Sequence, residues 1–394
     1  MIIQLMSSLP RYDKPVLLVL NPGSSSIKWS THNVSALEYA GATVPVAIGQ
    51  AGVGQSAAQT YPGAPPWLTD VLTNHDVRAV IIRVVHGGSE YLKPLPINDD
   101  NFRQLQTLIP LAPLHNKAAI ELIEQLRNTR FSIPVFAVFD SEFFSDLPVL
   151  SQIYGLSVAL TEKYRLRRYG FHGFAHESMV KHWEAVKPKA EHYTLVTAQL
   201  GSGCSMAAIR DGKPVDTTMG FTPNEGLLMR TRSGDIDPGL LTWLQWQEGW
   251  TPEDTDRVLN CESGWRGLSG GIDNMADLFA SKQPQHQLAF DFFRYRFQKT
   301  LGAYFAILGG LDGVVLSGGI AENNIDICRR LLSGLSHLGI ALKDPLARSP
   351  LPLLLSSPAS PVQCWVVVAD EAAAMLRSVQ HHLSFENEFQ SLAD

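Results

Sequence analysis

Residues 16–28 read VLLVLNPGSSSIK. Five apolar residues run up to Asn21 and stop at Pro22-Gly23, which three serines, an isoleucine and Lys28 follow. A Leu- and Val-rich run bounded by Asn-Pro-Gly predicts a short buried strand ending in a tight turn. Gly23 permits close backbone approach, Ser24, Ser25 and Ser26 offer hydroxyl donors, and Lys28 adds a positive charge, a combination suited to the oxygens of a phosphate. The stretch is not a P-loop, which needs Gly before the Lys and Ser or Thr after it, where Ile27 and Trp29 stand. A serine-rich hairpin turn accounts for the same residues, so the rest of the chain has to decide between the two.

Further stretches repeat the theme. VRAVIIRVVHGG predicts a buried strand from Val77 to Val85 closed by Gly87-Gly88, and IPVFAVFDSEF a strand ending on Asp140. From Tyr193 the pattern starts again as strand, Gly-Ser-Gly turn, strand and Asp-Gly turn in YTLVTAQLGSGCSMAAIRDGKPVD. A third such element, DGVVLSGGIAENN, and a last strand, VQCWVVVADE, follow. Helices are predicted from Pro113-Leu114-His115, with Ile120, Leu122, Ile123 and Leu126 as the apolar stripe, from Leu288 to Leu308, from Ile325 to Leu335, and after Glu371. Gly41 to Pro66, rich in Gly, Ala, Pro and Gln, predicts loose structure or small hairpins. A strand, a phosphate-like turn and a returning strand in each half predict a duplicated α/β architecture whose two turns face each other across a cleft.

At 394 residues and 45% hydrophobic content the chain has material for about two domains with cores of their own. Cys204, Cys261, Cys328 and Cys364 are too scattered for a paired metal motif and too few for a disulfide framework, which suits a reducing cytoplasm. A formal charge of -6 without long Lys/Arg runs argues against nucleic acid or an anionic membrane as partner. No apolar run approaches the roughly 20 residues of a membrane span. The opening MIIQLMSSLPRYDKP lacks the basic-then-apolar order of a signal peptide and reads as a short extension.

The chemistry-bearing residues fall at strand ends and turns, where α/β proteins collect ligand groups. Arg83 lies inside an otherwise apolar strand, and a buried guanidinium demands an anion, either a structural carboxylate or a ligand. Asp140 ends its strand in a position suited to Mg²⁺, to orienting a substrate, or to capping the next segment. In RRYGFHGFAHE, His172 and His176 are four apart, but Gly173 intervenes and the Glu is misplaced for a zinc helix. His172 therefore reads as a solitary donor in a ligand pocket. MRTRSGDIDPG places Arg230, Arg232, Asp235 and Asp237 in one loop, as a surface ion-pair network or an anion clamp.

LNPGSSSIK, RVVHGG, PLHN, VFDSEF, RRYGFHG, VDTTMGFTPNEGLLMRTRSGDIDPG, GAYFAILGGLDGVVLSGGIAEN and ADE occur in the order and spacing of the acetate kinase family, which includes the similar propionate kinases. The resemblance spans Val16 to about Leu376. It implies the acetate and sugar kinase/Hsc70/actin fold, a duplicated two-domain α/β ATPase with an interdomain active-site cleft, with residues 1–139 plus 377–394 as the acyl- and phosphate-side domain and 140–376 as the nucleotide-binding domain. It implies a cytoplasmic homodimer that transfers phosphoryl between ATP and acetate, giving acetyl phosphate and ADP, with Mg²⁺. Propionate or butyrate as acceptor, pyrophosphate as donor, or a weakly active nucleotide-binding homologue are the alternatives.

By the same resemblance Ser24, Ser26 and Lys28 match a phosphate-facing turn, and Asn21 and Glu371 the metal-associated residues. Arg83 and Arg232 match the clamp on carboxylate and transferring phosphoryl, Asp140 the catalytic carboxylate, His172 the transition-state donor and His115 a supporting histidine. Val85, Leu114, Phe171 and Pro223 match the small alkyl pocket. Gln199, Gly201, Ser202 and Gly203 match the second phosphate turn, and Gly318, Gly319, Ile320, Ala321 and Asn323 the nucleotide loop. The family's second turn usually reads His-Leu-Gly-Asn-Gly and its nucleotide loop Gly-Gly-Ile-Gly-Glu-Asn, so Gln199, Ser202 and Ala321 are departures. Pro22 is unusual as well, and Arg230 stands where a glycine is common. These changes set the divergence on the donor side, with Ala321 expected to bring a methyl near the adenosine.

Overall fold

The computed structural model describes residues 12–23, 26–34, 45–52, 65–129, 131–187, 191–344 and 349–385. The chain divides into two compact units, residues 1–142 with 370–394 and residues 143–369. The resemblance implies boundaries at 139/140 and 376/377; the division at 142/143 and 369/370 groups Asp140 and Glu371 with Asn21 and Arg83.

The first unit is built on a six-stranded sheet of β1 (Tyr12–Pro22), β2 (Ser26–Asn33), β3 (Ala47–Gly52), β4 (His75–Val84), β5 (Leu95–Pro96) and β6 (Val135–Phe139), in the order β3-β2-β1-β4-β6-β5. β1 and β2 form an antiparallel hairpin with Leu20 opposite Trp29 and Asn21 opposite Lys28. β1, β4 and β6 are parallel. Central parallel strands are covered on both faces and so read as unbroken apolar runs. Val16, Leu18 and Leu20 join Val80, Ile82 and Val84 in the core that takes Ile120 and Ile123 from the helix Pro113–Arg127, while Leu17 and Val19, pointing the other way, are equally buried. The helix Glu371–Phe385 packs on β1, β4 and β6. Within 41–66, which sequence reading left loose, β3 pairs with β2 and a helix begins at Pro66; residues 41–44 and 53–64 lie outside the described residues.

The second unit repeats the plan. Its strands are β7 (Thr194–Leu200), β8 (Cys204–Arg210), β9 (Lys213–Thr217), β10 (Gly313–Ser317), β11 (Leu353–Leu354) and β12 (Gln363–Val366), in the order β11-β12-β10-β7-β8-β9. Mapping β1 onto β7 and counting on through β6 and β12 superimposes the two orders, down to the short antiparallel edge strand paired to the last parallel one. The duplication suggested by the two strand-turn-strand stretches therefore extends over both sheets. The helix Gly173–Val186 packs on β7 and β10. The long helix runs Pro284–Leu308, starting four residues before the predicted Leu288 because Pro284 takes the first helical turn. The next helix is Ile325–Leu332, ending short of the predicted Leu335.

One buried side chain joins two of the sequence motifs in the first unit. Asn116 of PLHN accepts from the His86 backbone N–H at 3.0 Å and donates to the carbonyls of His86 and Leu108 at 2.9 and 3.0 Å. Both Asn116 and His86 are fully buried, so RVVHGG is held in place by a side chain from the following helix. Replacing Asn116 by Ala removes three hydrogen bonds to backbone groups, two of them buried, and we expect a loss of roughly 2–4 kcal/mol in urea unfolding. A loss below about 0.5 kcal/mol would mean that water or relaxation takes over those bonds.

Candidate active site

In the first unit the polar groups stand at the carboxyl ends of three adjacent parallel strands, where α/β sheets bind ligands. Asn21 and Arg83 each lie one step from the end of their strands, β1 and β4, and they are neighbours because Leu20 pairs with Ile82 in the parallel register. Asp140 follows β6, its backbone N–H bonded to the Val84 carbonyl at 3.1 Å. Arg83 Nε donates to Asp140 Oδ1 at 2.8 Å, Nη2 donates to Asp140 Oδ2, and Nη1 donates to Asn21 Oδ1 at 2.8 Å. Asn21 Nδ2 in turn donates to Glu371 Oε2 at 2.6 Å. Burial works against the guanidinium's charge, but the carboxylates of Asp140 and Glu371 hold its pKa above the ordinary value. Asp140 is thus the anion that Arg83 demanded, in a two-point pairing that fixes the guanidinium plane.

Glu371 presents a carboxylate, a hard oxygen donor that suits Mg²⁺, while the Asn21 amide faces it with Nδ2 and keeps Oδ1 on Arg83. Among the described residues no group of three or more His, Cys, Asp or Glu could hold a metal by itself. The turn that opened the sequence question is a hairpin, closed by the Gly23 N–H to the Ser26 carbonyl at 2.8 Å. Lys28 is exposed on its second strand. Ser24 and Ser25 lie outside the described residues, as does the side chain of Leu114. Val85 is buried and His115 half-buried in the first turn of its helix.

In the second unit the turns after β7 and β10 lie together, since Ser317 pairs with Gln199 in the parallel register. Gly318 has φ +89°, and a Cβ there would come within 2.5 Å of the Leu200 carbonyl oxygen, so only glycine lets the two turns touch. Glu322 Oε1 accepts from Ser317 Oγ at 2.9 Å and from the Gly318 N–H at 2.8 Å, and Ser317 Oγ also accepts from the Ala369 N–H at 3.0 Å. Glu322 therefore locks the GGIAEN loop, a role its sequence position gave no sign of.

These turns border a cavity of about 500 Å³. Its lining includes Gly201, Ser202, Arg230, Gly319, Ile320 and Asn323. Ala321 is not among the lining residues and is fully buried. The expectation that its methyl approaches an adenosine is corrected: the short helix Gly319–Asn323 turns that side chain into the core.

Across the Gly201–Gly203 turn, His172 and Arg232 converge. A Cβ placed on Gly203 would stand 3.3 Å from His172 Nε2 and 3.5 Å from Arg232 Nη1. Arg232 Nη1 donates to the Pro223 carbonyl at 3.0 Å. The loop carrying Pro223 is fastened by residues the sequence did not single out. Glu225 accepts from Tyr154 Oη at 2.6 Å and pairs with Arg168, and Arg168 donates to the Thr217 carbonyl at 2.6 Å. Of the MRTRSGDIDPG loop, Asp235 pairs with Arg296 and Asp237 caps the helix Pro238–Glu248, so the two carboxylates are structural while Arg230 and Arg232 face cavity and turn. His172 sits at φ +59°, a left-handed conformation rare outside glycine and one that recurs at functional sites. His172 and His176 each bond to the hydroxyl of Ser205, which disposes of a zinc pair. Phe171 is fully buried.

Glycine-rich turns at the ends of parallel strands, with cations beside them, are how α/β phosphotransferases hold phosphate, and to that class this fold and these groups belong. Residues 69–377 match the profile of the Acetokinase family. The acetate kinase of Pseudarthrobacter chlorophenolicus is 36% identical over 374 residues, covering 91% of this chain and 97% of that protein. That of Corynebacterium jeikeium is 40% identical over 77% of each chain. Among solved structures, the Porphyromonas gingivalis acetate kinase superimposes with a TM-score of 0.79 at 28% identity, over 94% of this chain and all of that one. A Francisella tularensis propionate kinase gives 0.81 at 29% identity, over 92% of this chain and 98% of that one. The chain belongs to the acetokinase family, phosphotransferases whose acceptor is a carboxylate.

Removing the Asp140 carboxylate leaves the Arg83 charge without its main partner inside the sheet. For Asp140→Ala we expect roughly 3 kcal/mol lost in urea unfolding, as for a broken buried pair. A loss under about 1 kcal/mol would put this pair with exposed ion pairs instead.

Proposed function

We propose that the protein transfers a phosphoryl group directly between ATP and acetate, reversibly and with Mg²⁺, giving acetyl phosphate and ADP. The observation that carries the reading is the Arg83 guanidinium, fixed at the end of β4 by Asp140 and Asn21, in a chain 36–41% identical to relatives named acetate kinase.

The acceptor oxygen is already a carboxylate, so no base has to remove a proton and catalysis rests on positioning and charge. Asp140 fits that scheme as the group that orients Arg83. Three of the five guanidinium N–H groups are committed to Asp140 and Asn21, and two are left for the anionic oxygens of the reacting groups. Glu371, beside Asn21, would hold Mg²⁺, which when bound neutralises charge on phosphate oxygens. Within the second unit, His172 Nε2 and Arg232 meet at the Gly203 turn and supply donors to a phosphoryl group held there, and charge spreading over its equatorial oxygens is stabilised by both. Ser24, Ser26 and Lys28 serve a phosphate, His115 a supporting contact, and Val85, Leu114, Phe171 and Pro223 the methyl of acetate.

The nucleotide takes the cavity, its phosphates along Gly201, Ser202, Gly203, Gly318 and Gly319 and its adenosine toward Ile320 and Asn323. Gln199 belongs to the same turn. Ser202 lines the cavity where the family has the longer Asn, and Arg230, where a glycine is common, lines it too. Assembly as a homodimer is supported by apolar side chains left exposed on the second unit, among them Trp243, Trp246, Leu288 and Tyr295. A cytoplasmic setting is supported by Cys204, Cys328 and Cys364, buried as free thiols that burial pushes up to about 12. Among the described residues no helix is long and apolar enough to cross a membrane.

A hydroxamate trap for acyl phosphate, crossing acetate, propionate and butyrate with ATP, GTP and pyrophosphate, tests the reading. Acetate with ATP should give the highest kcat/KM, and Arg232→Ala should lower kcat by about 100-fold or more. Preference for propionate or butyrate, or for pyrophosphate, would replace acetate or ATP in the assignment; no acyl phosphate from any pair would remove it.

A further inference from the structure

Behind His172 runs a chain of hydrogen bonds that phosphoryl transfer as derived above does not use. His172 Nδ1 meets Ser205 Oγ at 2.9 Å, the same Oγ meets His176 Nε2 at 2.8 Å, and His176 Nδ1 meets Thr197 Oγ1 at 2.7 Å. Ser205, His176 and Thr197 are all fully buried. Ser205 and Thr197 stand on the neighbouring antiparallel strands β8 and β7, and His176 is one helical turn after His172 on the helix Gly173–Val186.

A hydroxyl has one proton, and a neutral imidazole has one N–H and one bare nitrogen. An arrangement with Ser205 accepting from both rings would leave its own proton unused in a fully buried place, so the chain runs in one of two directions and its closed end decides between them. Among the described residues Thr197 Oγ1 has no hydrogen-bond partner besides His176. Were Thr197 to accept from His176 Nδ1–H, its own proton would be left unused in a fully buried place, a loss that folded proteins rarely carry. Thr197 Oγ1–H therefore donates to His176 Nδ1. His176 must then carry its proton on Nε2 and donate to Ser205, and Ser205 donates its single proton to His172 Nδ1. With Nδ1 accepting, the proton of a neutral His172 is on Nε2, the nitrogen beside Gly203.

We propose that Ser205, His176 and Thr197 are positioning residues that fix His172 as the neutral Nε2–H tautomer, so that it presents a donor at the phosphate turn without carrying a charge. This rests on the proposed role of His172 toward the transferring phosphoryl group. It explains why a histidine is held in a left-handed backbone conformation: the chain behind it dictates both the ring's orientation and which nitrogen is bare. Cation chemistry at this turn is then left to Arg232, whose charge is permanent.

The test is the long-range ¹H–¹⁵N correlation spectrum of the full-length protein labelled with ¹⁵N-histidine, with the two rings assigned from spectra of His172→Gln and His176→Gln. The wild-type spectrum should show Nε2 protonated and Nδ1 bare for both rings near neutral pH. Ser205→Ala removes the donor to Nδ1; it should convert His172 to a mixture of tautomers and lower kcat by about 10-fold or more, with KM for ATP and acetate within about threefold. A wild-type His172 with a proton on Nδ1, whether neutral or cationic, overturns the proposal, and that measurement needs no variant of Ser205 to fold. Unchanged His172 signals and kcat in Ser205→Ala overturn it as well. The spectra are independent of turnover, so a wild-type protein with the expected tautomers but no acyl phosphate formation would defeat the functional reading and leave the tautomer assignment standing.

Discussion

A guanidinium inside an apolar strand is the constraint on which the first unit depends. Arg83 follows Val80, Ile81 and Ile82 into the sheet, and a charge there survives only with an anion placed to meet it. That requirement accounts for Asp140 just past β6, for Asn21 at the end of β1, and for Glu371 on the incoming helix next to Asn21. Three segments far apart in sequence are thereby brought to the carboxyl ends of the central strands. The same arrangement holds a positive group rigid at the place where parallel strands end, which is what stabilising charge on a phosphoryl group requires.

The second unit uses the duplicated sheet differently. At the positions of the β1 and β4 ends it has two glycine-rich turns in contact, Gly201 to Gly203 and Gly318-Gly319, over a cavity. Its fixed groups, Glu322 under one turn and Glu225 with Arg168 beside the other, act on backbone and loops. The first unit thus presents a charged cluster fixed by its own carboxylates, and the second presents glycine-rich turns over a cavity with Arg230, Arg232 and His172 beside them.

Much of this was legible in the sequence because strand-then-turn punctuation survives without tertiary context. VLLVLNPG, VVHGG and VLSGG each end a buried strand where the structure ends one, and the repetition of that pattern foretold the duplication. Arg83 was readable as a buried charge because its neighbours are all apolar. What escaped notice acts at long range. Asn116, Glu322 and the Ser205–His176–Thr197 chain are ordinary polar residues in helices and strands, and their importance comes from burial and from partners that only the fold supplies. Ala321 was misjudged for the same reason: the letters GGIAEN show a substitution for glycine but not which face of a short helix it occupies.

The central claim is that the Arg83 guanidinium acts on the reacting groups and is more than a structural partner for Asp140. Chemical rescue separates the two roles. Arg83→Ala, shown to be folded, should form acyl phosphate at a rate lower by about 100-fold or more, and millimolar guanidinium should restore part of the loss saturably where an equal concentration of sodium chloride does not. Near-wild-type turnover in the unrescued variant, or a folded variant that guanidinium fails to rescue at all, would contradict it.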